Sequence, residues 1–165
     1  MICKGVVMLS VTRLEPRDCP ATGVVVLWEQ GDPWVESEWI RGIVHYGINQ
    51  VAGRVTNQAV PVVYLEVWNK PLPPDRLAEG VNYGAAGAPY YGVMAFDFAR
   101  IFSDGWDVVG IVSHETGHAL VGAGHTVYPY DLMGPTARTN AQPWDGTLTT
   151  NDRQAFAVMG FQTDQ

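Results

Sequence analysis

His114-Glu115-Thr116-Gly117-His118-Ala119-Leu120-Val121-Gly122-Ala123-Gly124-His125 holds three of the four histidines of a 165-residue chain. On a helix, His114 and His118 stand four residues apart on one face, so both imidazoles can reach a single metal ion. Glu115 then lies beside them, placed as general base toward a metal-bound water. A catalytic zinc takes three protein ligands and leaves a fourth position open, and His125 is the candidate for the third. Gly122 and Gly124 let the chain leave the helix and turn back, because glycine tolerates the positive φ that such a turn demands. A bare pair of histidines four apart also occurs on ordinary helices. The third histidine, and Met133 eight residues beyond it, set this window apart.

Working outward, the helix carrying these residues is predicted from about Trp106 to Val121, behind a cap at Ser103-Asp104-Gly105. Before it, Tyr90–Phe98 reads as a strand, and residues 69–89, rich in Pro, Ala and Gly, as a long surface loop. Val60–Trp68 is β-rich and stops at a proline cluster. Val35, Trp39, Ile43, Tyr46 and Val51 recur near helical spacing and predict an amphipathic helix over 35–51. Gly23–Glu29 is a short β-branched run that ends in a turn, the first strand of the pattern. At the other end, Thr149 with Asp152 three residues on, an apolar face and Gly160 predict a closing helix. The expected fold class is α/β (α+β): a mixed β-sheet with two long helices in one domain over 23–165, preceded by an N-terminal segment 1–22.

Seventeen acidic against ten basic residues leave a formal charge of −7, and no basic cluster appears, which argues against nucleic acid or an anionic membrane as partner. The apolar runs are far shorter than the ~20 residues that span a bilayer. No secretory leader is evident at the N-terminus, so the compartment is not assigned. Cys3 and Cys19 can pair or remain free thiols. His45 reads as a partly buried imidazole of a helix face rather than a ligand. A monomer acting on a peptide or protein substrate is the default.

The window resembles the metzincin clan of zinc peptidases, and within it most nearly the matrixins. Asp131-Leu132-Met133-Gly134-Pro135 is similar to the tight Met-turn that follows the zinc helix in that clan, and Leu148, Thr149, Asp152 and Gly160 are similar to the matrixin closing helix. The resemblance implies a zinc-dependent metalloendopeptidase with one catalytic Zn²⁺ held by His114, His118 and His125, Glu115 as general base, and Met133 as floor under the imidazoles. Matrixins also carry calcium; the Ala and Gly loop at 84–88 lacks carboxylates for it. Cys19 lies in a segment loosely similar to the matrixin latency segment. Substrate would lie along an edge strand at Tyr90–Phe96, with a side-chain pocket walled by His118, Val121 and the segment 135–144. The pattern departs from the clan by one residue, since Val121 stands where a Gly is expected and His125 comes one position late. Two other readings share these residues: an inactive metzincin-like binding or assembly module, and an amidase acting on cell-wall peptide cross-links.

Overall fold

The computed structural model describes residues 10–11, 23–57, 60, 62–84 and 91–163. Its elements run β1 (Ser10–Val11), β2 (Gly23–Trp28), α1 (Pro33–Glu36), α2 (Glu38–Ala52), β3 (Val55–Thr56), β4 (Val62–Asn69), β5 (Ala78–Asn82), β6 (Tyr91–Phe96), α3 (Phe98–Ser103), α4 (Val108–Thr116), a π-helical turn (Gly117–Val121), α5 (Thr150–Val158) and β7 (Gln162–Thr163). The five-stranded sheet has the order β1-β2-β4-β6-β5; β2, β4 and β6 are parallel, and β1 and β5 are antiparallel edges. β3 and β7 form a separate antiparallel pair. The chain is thus of mixed α/β class, as expected. Among the described residues no helix is long and apolar enough to cross a membrane.

Alternation along β4 decides how the layers stack. Val63, Leu65 and Val67 are buried, whereas Val62, Tyr64 and Trp68 are exposed on the opposite face. The buried face shares one hydrophobic core with α2 and α4, which pack closely on each other: a Cβ at position 47 would stand 2.6 Å from Val112 Cγ1. The Ser113 hydroxyl donates to Gly47 O at 3.0 Å across the same contact. Ile40, Val44, Ile48 and Val51 supply the rest of the buried stripe of α2.

Several sequence expectations shift here. The helix expected over 35–51 is two helices: Asp32 caps α1 through the Trp34 and Val35 amides, and Ser37, extended at ψ 122°, breaks the chain before α2. That break resets the phase, so Trp39 and Tyr46, expected on the apolar face, are exposed. The supposed loop 69–89 contains β5, whose Ala-Glu-Gly-Val-Asn has no strand pattern of its own and is ordered by pairing with β6. β6 therefore lies inside the sheet, and the edge strand is β5 rather than Tyr90–Phe96. Ser103 ends α3 instead of opening the next helix; Asp107 caps α4, accepting from Gly110 N at 3.0 Å and Trp144 N at 2.8 Å. Ahead of residue 23, Ser10 and Val11 pair with Val26 and Val25 as β1 at the edge of the sheet. Cys3, Cys19 and Tyr90 lie outside the described residues.

Because the Asp107 carboxylate serves both the first turn of α4 and the loop carrying Trp144, Asp107→Ala is expected to lower the unfolding free energy by about 2 kcal/mol. Urea denaturation with an unchanged m-value checks this.

Candidate metal centre

α4 and the π-helical turn that continues it bring His114 and His118 to one face, and their Nε2 atoms stand 3.0 Å apart. His125 Nε2 stands 3.2 Å from that of His114, and the three ligand atoms all lie within 4.8 Å of one another. Tetrahedral coordination with metal–nitrogen distances of about 2.0–2.1 Å places such atoms about 3.3 Å apart, so the set is close to that needed by one ion. Each of these two half-buried imidazoles is turned by its other nitrogen: His114 Nδ1–H donates to Leu132 O at 2.6 Å and His118 Nδ1–H to Ala123 O at 2.6 Å. These bonds leave both Nε2 lone pairs unprotonated and aimed inward. Burial, the larger effect, then pushes His114 down to about 4 and lowers His118 as well, so both stay neutral and competent as ligands.

The third imidazole arrives by way of the π turn. At Gly117 the helix widens to i→i+5 hydrogen bonding, which admits one more residue before the chain exits toward His125. Val121 is thereby buried instead of walling the pocket. Gly122, at φ 76°, ends the turn, closed by its N–H to His118 O at 3.0 Å and by Ala123 N–H to Gly117 O at 3.2 Å. Of the two glycines expected to make this exit, only Gly122 has positive φ.

Met133 is fully buried against the π turn, and a Cβ at Gly117 would stand 2.3 Å from its sulfur, so only glycine admits the contact. The turn bearing Met133 is held from α5. The buried carboxylate of Asp152 accepts from Leu132 N at 3.0 Å and Met133 N at 2.8 Å, and from Thr149 N and Oγ1 at 2.9 and 3.0 Å. Since Leu132 O is the acceptor for His114, the closing helix orients a ligand through one residue. Sequence reading placed Asp152 in a capping box and missed this second task, which no local pattern announces.

Glu115 opens on the same cleft, of about 810 Å³, as the three histidines. Burial, with Glu79 as a lesser cause, raises its carboxyl to about 8 in the metal-free protein, against a smaller opposing pull from the Gly80 amide. One wall is β5, where a Cβ at Gly80 would lie 2.5 Å from Glu115 O. Asp97 N–H bonds Leu77 O and Tyr83 N–H bonds Tyr91 O, so odd-numbered residues of this antiparallel ladder face β6. Ala78, Gly80 and Asn82 consequently turn their backbone groups to the free edge. The facing wall is Gly134–Arg138, with Trp144 behind it. His45 packs edge-on to Trp28 at 5.4 Å and takes no part. No family model matches the chain, and no curated protein matches it either.

Replacing the buried Asp152 leaves amide donors unpaired. Asp152→Asn is expected to cost about 2–3 kcal/mol of stability and to weaken metal affinity roughly tenfold, measured by denaturation and by competition with a chromogenic chelator. A second expectation concerns pH. The folded pKa of Glu115 lies above its ordinary 4.5, so the folded metal-free protein holds this proton more tightly, and stability present below 4.5 is lost as pH rises toward about 8. In chelator, Glu115→Gln should therefore gain stability over wild type on going from about pH 5 to about pH 8.5, by on the order of a few kcal/mol. Thermal midpoints at the two pH values check the sign.

Proposed function

We propose that this protein is a zinc-dependent metalloendopeptidase of the metzincin kind, most like the matrixins. The observation that carries the reading is the convergence of three imidazole Nε2 atoms, with no fourth protein ligand among the described residues, in one cleft with a buried carboxylate. A purely structural zinc takes four protein ligands and needs no base beside it. His114, His118 and His125 are the residues that would hold the ion, and their neutral, nitrogen-only donor set suits zinc. A zinc ion held there supplies Lewis-acid polarisation of the scissile carbonyl and lowers the pKa of water toward about 7.

The remaining work falls to the chain itself. An extended peptide pairs with the free edge of β5, so that its backbone is aligned by the amides and carbonyls of Ala78 and Asn82 and the carbonyl of Gly80. The side chain beside the scissile bond enters between α4 and the wall at Pro135–Arg138. Glu115 takes the proton of the attacking water and passes it to the leaving nitrogen, so that no separate acid is needed. His114 and His118 are kept in one tautomer throughout by Leu132 O and Ala123 O. Met133 keeps the underside of the site dry.

Metal analysis together with cleavage of casein and quenched peptides tests the reading. Wild type is expected to bind one zinc and to cleave in a chelator-sensitive manner. Glu115→Ala should retain zinc and lose roughly 10²–10⁴-fold in turnover, whereas His125→Ala should lose the metal. Zinc bound without cleavage of any peptide would favour a binding or assembly module, and hydrolysis confined to cell-wall peptides would favour the amidase. A wild type that binds no zinc would end the proposal.

A further inference from the structure

Loop 70–77, just before β5, contains Pro71, Pro73 and Pro74, which have no N–H and so cannot satisfy nearby carbonyls. One guanidinium gathers them, beside the Arg76 N–H that also bonds Pro73 O at 2.9 Å. Arg100 on α3 donates through Nη1 to Leu72 O at 3.2 Å and Pro73 O at 3.1 Å, and through Nη2 to Pro74 O at 3.3 Å and Arg76 O at 2.6 Å. Asp97 completes the knot: its carboxylate lies 3.7 Å from Arg100, caps α3 through the Arg100 amide and accepts from Leu72 N at 3.4 Å. The Asp97 N–H donates to Leu77 O at 2.9 Å, which is the first rung between β6 and the start of β5.

Arg100, Pro74, Arg76 and Leu77 also border the cleft that holds His114 and Glu115. The loop's other ties include the Lys70 N–H bond to Phe96 O at 2.9 Å, which anchors its start to β6, and the ion pairs of Glu79 with Lys70 at 2.5 Å and with Arg76 at 3.6 Å, both partly exposed and of small worth. β5 has no slack toward the helix, since Gly80 already abuts Glu115. A shift in the loop therefore moves the edge strand along the cleft. A lysine ammonium is a point donor and cannot span four carbonyls as the planar guanidinium does.

We propose that Arg100 is a positioning residue: by gathering the carbonyls of Leu72, Pro73, Pro74 and Arg76 it sets where β5 lies against Glu115, and so where a substrate strand is held. The kinetic part of this inference rests on the peptidase reading; the structural part does not. Pairing with β5 is made alike in the ground and transition states, so its loss appears in KM rather than kcat.

The test compares wild type, Arg100→Lys and Arg100→Ala, all zinc-loaded, by quenched-peptide kinetics, zinc content and hydrogen exchange. Expected are a KM raised roughly tenfold with kcat little changed, full zinc occupancy, faster amide exchange confined to residues 72–82, and recovery of KM in Arg100→Ala with millimolar methylguanidinium. Unchanged KM and exchange would overturn the proposal. So would joint loss of zinc, kcat and KM without rescue, which marks Arg100 as general support for the fold. If wild type cleaves no peptide, the peptidase reading fails by that result alone, and exchange at 72–82 still decides whether Arg100 holds β5.

Discussion

The third imidazole depends on how the chain leaves α4. An α-helix carried unbroken through Val121 would place the following residues on a different azimuth; the π turn from Gly117 lets one more residue in without moving His118 off the ligand face. Ala119, Leu120 and Val121 are buried in that turn, so the widened backbone is held by core packing rather than by local preference. Left-handed Gly122 then sends the chain back, and the bond from His118 to Ala123 O ties the second imidazole to the exit that delivers the third. Ligand spacing and helix termination are one structural problem with one solution.

From there the constraint passes to the far end of the chain. Asp152 is buried and is stabilised as an acceptor for amides of the Met133 turn and of its own helix cap. Such a carboxylate is expensive to bury unless every acceptor site is used, which makes the turn and the closing helix interdependent. His114 is oriented by the same turn through Leu132 O. The centre is thus supported from α4 and α5 at once, while Glu115 remains in a dry niche where a nearby cation would strongly favour its ionised form.

The outer wall is built differently. β5 is short, weakly patterned and paired on one side only, and a proline-rich loop leads into it. Its position comes from the ladder with β6 and from the cage that Arg100 makes of loop carbonyls. Histidines anchored through the buried π turn and the Met133 turn, and an edge strand held by polar bonds at the rim, divide the cleft into a part that cannot move independently of the fold and a part set by a few hydrogen bonds.

By itself the sequence determined the mixed α/β class, the helical face shared by His114 and His118, the candidacy of His125, and the closing helix with its Thr149 and Asp152 cap. These follow from local rules: helical periodicity, capping chemistry and the rarity of histidine elsewhere in the chain. Tertiary structure alone decided that β5 rather than Tyr91–Phe96 forms the edge, that α2 buries the stripe containing Gly47, that a π turn admits one more residue, and that Arg100 and Asp152 act at a distance. Each of those outcomes depends on groups far apart in sequence meeting in one place: a strand made by its neighbour, a helix face chosen by close approach to Val112, and buried polar atoms that needed partners which no local window contains.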